Sequence, residues 1–479
     1  MDLVGEATVR PPSSVAEIVA IPIVHDWGPL GSVDGPQEIE NFGEFDGLFG
    51  NGESAGRDAV QGAFVGPGVA GRPTAGAVIV YRMATGSAAK AAVTLKNTKE
   101  APENALTLTA KYTGERGNRF SVKTEADPLD AEKDRLTILF DGVKQESYSY
   151  AETDITALAA AINARSDFVT ATSLKTGTTL ATVSGTAFTA GNNGASLTAE
   201  QWTDALSALE FEDFSVISPF DLVDDEIVAS LYSWVQTQAE EQRPVTAVLG
   251  GAEDEDLSTA MEEVEEIRDP HIIRLAGGLF HDEYLDKDLS TSQLAPRVAG
   301  ALAGCGEESS LTFCPFAGIK QVGTVSIAVD ELAVAATAGL TVFRRASRAD
   351  GAEMVIAKGV TTFNDLDDPT RPYELFSDPR IVRVADLFQR RMKTYGDEHI
   401  VGPTRVTDTT KAAVRQQGQA EINDLLDRGL IQGGATPEEK PYFRIVDDPG
   451  PNLQDAIVYE FGFKFARTTL FLIGSGKVR

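Results

Sequence analysis

The chain has 479 residues, 42% of them apolar and 8% aromatic, enough for roughly two to four domains with buried cores. Its 72 acidic and 42 basic residues leave a net charge of −30, a field that repels nucleic acid and anionic lipid and argues against a DNA-binding role. No run approaches the ~18–20 apolar residues of a membrane span, and Asp2 and Glu6 stand where a secretory signal would be basic, so the protein is expected to be made and kept in the cytoplasm.

Residues 1–14, with Pro11, Pro12, Ser13 and Ser14, read as a loosely tethered arm. The apolar run at 15–24 contains Pro22, which predicts an edge strand because proline cannot donate to a ladder. After AIPIVHDWGPLG (20–31), Phe42, Phe45, Leu48 and Phe49 recur at near-helical spacing, and a Gly-rich stretch precedes a strand at 77–83. From about Gly86 to Ala190 the chain turns Thr-rich. Strands are expected there at 106–112, 119–124, 135–140 and 146–150, with one helix at 155–165 and short strands over 169–187. LTLTAKYTGERGNRFSV (106–122) reads as a hairpin-like pair of strands around a turn holding Gly114, Gly117 and Asn118, and Asp141-Gly142 is a second hairpin signal. The zone suits a small β-sandwich carried as an insertion.

From Ser196 to about Phe363, helices at 197–209, 225–238 and 257–268 alternate with short apolar strands at 215–217, 245–249 and 271–276, which predicts a largely parallel α/β sheet. In the helix from Leu257, Leu257, Met261, Val264 and Ile267 form one stripe. Glu262, Glu263, Glu265 and Glu266 crowd the other faces, a solvated acidic surface rather than a cation site. Asp378 and Pro379 open a further helix that Gly396 stops. Its apolar stripe is Ile381, Val384, Ala385, Phe388 and Met392, and Arg380, Arg383, Arg390, Arg391 and Lys393 decorate the remainder. A helix at 409–428 ends at Gly429. DAIVYEFGFKF (455–465) then places Ile457, Tyr459, Phe461, Phe463 and Phe465 on one strand face, before a last apolar run at 469–473.

Catalytic chemistry finds little support. The four histidines, His25, His271, His281 and His399, make no HExxH, and no GxSxG is present. A base-and-partner role for His271 and His281 lacks a nucleophile to serve. Gly474-Ser-Gly-Lys477 lacks the earlier glycine, the following Ser or Thr and the helix of a phosphate loop. Cys305 and Cys314 cannot hold zinc by themselves, and in a reducing cytoplasm they read as buried free thiols. No catalytic, cofactor-binding or metal residue is assigned.

In order and spacing, AIPIVHDWGPLG, LTLTAKYTGERGNRFSV, AGNNGASLTAEQWTDALSALE (190–210) and DAIVYEFGFKF resemble the tail sheath subunit of contractile phage tails, especially those of Gram-positive phages and defective prophages. Trp27-Gly28-Pro29 resembles the family's WGP turn, and Gly191-Asn-Asn-Gly194 with Leu197 and Trp202 its Gly-rich turn and helix. RVAGALAGCGEESSLT (297–312) resembles its small-residue helix and loop. The resemblance implies an α+β multidomain fold: a β-sandwich insertion, a subtilisin-like α/β middle domain without a triad, and an α/β C-terminal domain with terminal strand arms. Mapped here, that gives an N-terminal arm and first strand (1–25), a segment packing with later domains (26–88), the sandwich (89–192), the middle domain (193–370) and the C-terminal domain and arm (371–479).

The same resemblance implies a structural subunit, not an enzyme, that polymerises as stacked hexameric rings around a tail tube and contracts to drive the tube through a target envelope. Its partners would be further copies of itself, the tail tube protein, and baseplate and tail terminator proteins, with no direct nucleic acid contact, no membrane insertion and no cofactor. Its place would be the virion tail, assembled in the host cytoplasm. Arms that pair strands between subunits would draw on Val19, Ile21 and Ile23 and on Leu470 and Leu472. Arg380, Arg383, Arg390, Arg391 and Lys393 become tube-facing candidates; the ordinary alternative is a basic last turn complementing its helix dipole. Two other classes stay open: an α/β hydrolase-like enzyme acting on a small substrate, and a surface β-sandwich adhesin.

Overall fold

The computed structural model describes residues 17–222, 224–307, 309–322, 327–346, 353–368, 371–434, 436, 440–446 and 455–465. Two compact units result. One comprises the described residues of Met1–Ile21, Gln61–Val78 and Asp213–Arg479, the other Pro22–Val60 and Ile79–Glu212.

The first unit is built on a parallel ladder. Ile18–Ile23 pairs with Val216–Ile217, which pairs with Thr246–Leu249, then Ile272–Leu275, then Leu340–Thr341, all parallel. Helices Asp225–Glu240 and Leu257–Ile267 make the crossovers that parallel neighbours require. Each begins on an aspartate cap, Asp224 accepting from the Ile227 amide and Asp256 from that of Thr259. The strands are buried throughout, as expected for a sheet covered on both faces. Helix Thr291–Gly304 is buried almost all round and opens on a capping box of Ser290 and Gln293. Its small residues are required: a Cβ on Gly300 would lie 2.0 Å from the Ala63 carbonyl oxygen.

The expectation that 15–24 forms an edge strand is overturned. Ile18–Ile23 lies inside the sheet order, between Val216–Ile217 and Ala77–Arg82, and all six residues are buried. Pro22 is tolerated because it falls past the last registered pair, Ala20 with Ile217, where that ladder needs no further donor.

Further along the same unit, helices Pro379–Tyr395 and Asp408–Asp427 enclose a core of Val384, Phe388, Met392, Val414, Ile422, Leu425 and Phe443. Strands Tyr442–Ile445 and Tyr459–Gly462 pair antiparallel over it. Phe461 packs tilted and Phe463 edge-on against Phe388, with centroids 4.4 and 5.7 Å away, so the aromatic alternation is core-facing as the sequence indicated. Gly418 makes room for this layer, since a Cβ there would sit 2.5 Å from the Phe443 ring.

The second unit holds two antiparallel sheets. One runs in the order Val183–Ala187, Phe120–Ala126, Lys133–Phe140, Val143–Ala151; the other is Lys90–Lys96, Asn104–Thr113, Val169–Ser173. Their facing residues, among them Leu106, Leu108, Phe120, Val122, Leu136 and Ile138, form one core with helix Ile155–Arg165. Asp141 and Gly142 both take positive φ (47° and 78°), the pair a two-residue hairpin needs to match strand twist.

Residues 106–122 are not a hairpin. The first strand enters the three-stranded sheet and the second the four-stranded one, joined by the 3-10 turn Glu115–Arg119. Gly114 turns the corner at φ 129°, where a Cβ would lie 1.8 Å from the Asp26 carbonyl oxygen, so only glycine fits.

Candidate functional site

Buried polar groups come first, because chemistry would begin there. In the second unit His25 is 2% exposed, and its Nε2 donates to the Phe49 carbonyl at 2.8 Å. That fixes Nδ1 as the acceptor of the Ser54 hydroxyl proton. The arrangement has the form of a serine beside a base. However, Ser54 Oγ also accepts from the Arg57 amide at 3.1 Å, at the start of helix Ala55–Val65, so the hydroxyl works as a cap. Burial holds the imidazole below its ordinary range and neutral. Nearby, Arg82 is 1% exposed and donates to the carbonyls of His25, Gly28 and Thr113, pinning the Trp27-Gly28-Pro29 turn from inside. Trp27 in turn packs edge-on against Tyr112 with centroids 5.3 Å apart. Sequence reasoning missed Arg82; an arginine inside the apolar strand AVIVYR was the available signal.

In the first unit a cavity of about 260 Å³ opens at the carboxyl ends of the parallel strands, where open α/β sheets place ligands. Its lining includes Tyr232, Glu255, Glu263 and Arg274. The guanidinium of Arg274 donates to both carboxylates, and Glu255 also accepts from the Gly277 amide at 2.9 Å. Burial raises Glu255 above the usual carboxylate range. One guanidinium is thus shared between two carboxylates, and both carboxylates are engaged in contacts within the fold.

His271 is held from both sides, its Nε2 3.1 Å from Asp386 and its Nδ1 3.5 Å from Asp269. Burial alone would lower its affinity for a proton, yet Asp386 and Asp269 outweigh that and raise the pKa to about 10. The imidazole is therefore a standing cation joining the start of strand Ile272–Leu275 to helix Pro379–Tyr395. His281 pairs instead with Asp288 at 2.8 Å, so the two histidines serve separate contacts.

The residues singled out in the sequence fall in three places. Val19, Ile21 and Ile23 are 0%, 0% and 2% exposed, within the sheet, and so present no free edge to a neighbouring subunit. Leu470 and Leu472 lie outside the described residues. The basic residues of helix Pro379–Tyr395 are mostly turned inward. Arg380 and Arg383 are buried, and Arg383 donates to the carbonyls of Leu302 and Gly306 at 2.6 Å each. Arg390 donates to the Pro244 carbonyl. Burial holds both Arg383 and Arg390 below the usual arginine range. Arg391 reaches Glu421 and Asp424 at 2.9 and 2.6 Å, and Lys393 reaches Asp397 at 2.9 Å. The row of basic residues thus does not form a basic face: arginine stems and heads were recruited to satisfy carbonyls at the ends of neighbouring elements.

Among the described residues, then, the chemistry-bearing groups serve the fold, and the distinctive structural feature is the two-sheet sandwich. Residues 84–193 match the family model described as the phage tail sheath protein beta-sandwich domain. By that stretch the chain is similar to tail sheath proteins. No curated protein sequence matches it. Among solved structures, the sheath tail protein of Desulfitobacterium hafniense has a similar fold, with a TM-score of 0.70 at 19% identity over 95% of this chain and 98% of that one. The sheath tail protein Lin1278 of Listeria innocua gives a TM-score of 0.68 at 19% identity, over 94% of each chain. The helical sheath of the anti-feeding prophage in its contracted state gives 0.53 at 12% identity, over 100% of this chain and 99% of that one. At these identities the likeness is one of fold. The sandwich match favours the structural reading over the hydrolase and adhesin ones.

Proposed function

We propose that this sheath subunit polymerises as stacked hexameric rings around a tail tube, and that contraction of the lattice drives the tube through a target envelope. The observation that carries the reading is the sandwich match over residues 84–193, set within a sheath-like fold across the chain. Its partners would be further copies, the tube protein, and baseplate and terminator proteins, in the tail of a virion or a related injection particle assembled in the host cytoplasm. The parallel ladder with its crossover helices is consistent with a subtilisin-like topology, used here as a rigid block rather than a reaction centre.

Arms complete the proposal. Strand addition needs an edge, and Ile18–Ile23 has neighbours on both sides. Among the described residues, Tyr442–Ile445 and Tyr459–Gly462 form a ladder of two strands, which leaves edges for a neighbour's arm carrying Leu470 and Leu472. Tube contact is assigned to the partly exposed Arg391 and Lys393 rather than to the buried arginines of the same helix.

Electron microscopy of the purified chain, with and without its tube protein, tests this. Rings or striated tubes with six subunits per layer are expected. A strictly monomeric particle across salt conditions, with or without the tube, overturns it.

A further inference from the structure

The sequence places asparagine before glycine twice, at Asn51-Gly52 and at Asn193-Gly194. An asparagine side chain is open to attack by the backbone nitrogen of the next residue, and glycine, with no Cβ, lets that nitrogen approach. The fold treats the two pairs differently. The Gly194 amide donates to Asn192 Oδ1 at 3.0 Å, and Asn193 Oδ1 accepts from the Glu115 amide at 3.0 Å. Among the described residues the Gly52 amide donates no hydrogen bond, and Asn51 is exposed to water.

Arg116 completes the contrast. It is 9% exposed, lies over the Phe140 ring at 4.5 Å and donates from Nη2 to Asn51 Oδ1 at 2.8 Å. Among the described residues it makes no ion pair, and its Nη1 is buried without a hydrogen-bond partner. A buried guanidinium therefore faces a neutral carboxamide where a carboxylate would compensate it. Asp26 stands beside the same loop: a Cβ on Gly52 would lie 3.1 Å from Asp26 Oδ1, a buried acceptor that also lacks a partner among the described residues.

We propose that Asn51 is a self-modification site, which deamidates to aspartate in the folded subunit and so gives Arg116 its counter-charge, while Asn193 stays intact. The Gly52 nitrogen gives up its proton, to solvent or to Asp26, and attacks the side-chain carbonyl carbon of Asn51. A carbon–nitrogen bond forms, the carboxamide nitrogen takes a proton and leaves as ammonia, and a succinimide ring remains. Water then opens the ring. Addition at the side-chain carbonyl, the one whose oxygen Arg116 holds and polarises, breaks the bond to the Gly52 nitrogen, returns its proton and leaves an ordinary aspartate. Addition at the backbone carbonyl would leave isoaspartate instead. One carboxamide and one water thus become one carboxylate and one ammonium ion. The product bond to Arg116 is charge-assisted, and the change is one-way, tying the loop of Asn51 to the 3-10 turn Glu115–Arg119.

The test incubates the full wild-type chain at neutral pH and physiological temperature and follows both asparagines by peptide mass spectrometry, with isoaspartate distinguished by isoaspartyl methyltransferase. The Asn51 peptide should become about 1 Da heavier, with aspartate the main product. Asn51 should convert on the order of tenfold faster than Asn193, the factor that breaking the one hydrogen bond of the Gly194 amide imposes. In urea the two rates should converge. Arg116→Gln, compared with Asn193 in the same molecule, should slow Asn51 and shift its product towards isoaspartate. Asn51→Asp should melt at a higher temperature than freshly purified wild type. Native protein in which Asn51 persists, or converts no faster than Asn193, overturns the proposal. Isoaspartate as the main wild-type product, or an Asn51→Asp chain that melts no higher, overturns the part assigned to Arg116. The comparison of the two asparagines in wild type needs no variant to fold.

Discussion

Raising the pH should loosen the first unit through one residue, His271. In the folded chain its imidazole is sandwiched by Asp386 and Asp269, and its pKa is raised to about 10 from an ordinary 6.5. A group that binds its proton more tightly when folded stabilises the fold fully below its unfolded pKa and loses that contribution as pH rises towards its folded one. The window is therefore pH 6.5 to about 10, with stability falling on the alkaline side. At about 1.4 kcal/mol per pH unit, the interval from 6.5 to 10 sets a ceiling of about 5 kcal/mol. The perturbation is His271→Gln, which keeps a polar side chain but cannot carry the charge. Thermal unfolding of wild type and variant should be followed in parallel from pH 6 to 10.5, because lysines, tyrosines and Cys305 titrate in both and cancel in the difference. The wild-type advantage should be greatest near pH 6 and shrink steadily towards pH 10. Asp386→Asn should flatten the same difference by removing the nearer carboxylate, 3.1 Å away. A wild-type advantage that stays constant across the window would refute the charged clasp, and one that grows with pH would reverse its sign.

Three further outcomes follow from the packing. Phe120 is 2% exposed and touches Trp27, Phe140, Phe168 and Phe188, so Phe120→Ala should cost about 3–5 kcal/mol, read as a lower melting temperature with loss of the Trp27 near-ultraviolet signal. Arg383→Glu places a carboxylate against two carbonyl oxygens in a buried site and should destabilise the subunit itself by several kcal/mol, on the order of 3–5, whereas Lys393→Glu should leave circular dichroism unchanged and weaken co-sedimentation with tubes. Ending the chain after Thr468 should give a folded subunit that no longer polymerises in sedimentation or microscopy; normal tubes from that chain would remove the linking role of Leu470 and Leu472.

Local chemistry was legible without coordinates. The helix start at Asp378 could be read because a cap and the stripe behind it lie close together in sequence, whereas the caps at Asp224 and Asp256 emerged only from the structure. The Asp141-Gly142 turn was readable because only a few residue pairs tolerate two positive φ angles. The sandwich zone showed itself by alternation, and the sheath resemblance by motifs whose order no single element supplies. The rest depended on which elements meet. Residues 106–122 alternate like a hairpin, but the corner at Gly114 sends the two strands to different sheets, and that choice is made by Asp26, far away in the chain. Pro22 signalled an edge, yet the strand is central because its short neighbour stops two residues earlier, a matter of register that one strand's sequence cannot encode. The arginines after Asp378 spelled a basic face by composition. Tertiary packing turned Arg383 and Arg390 inward, because the carbonyls of Leu302, Gly306 and Pro244 needed donors and arginine could reach them. Sequence by itself determines where the chain can turn, cap and alternate; the tertiary structure decides which polar groups are left to satisfy, and hence which charged side chains remain for a partner.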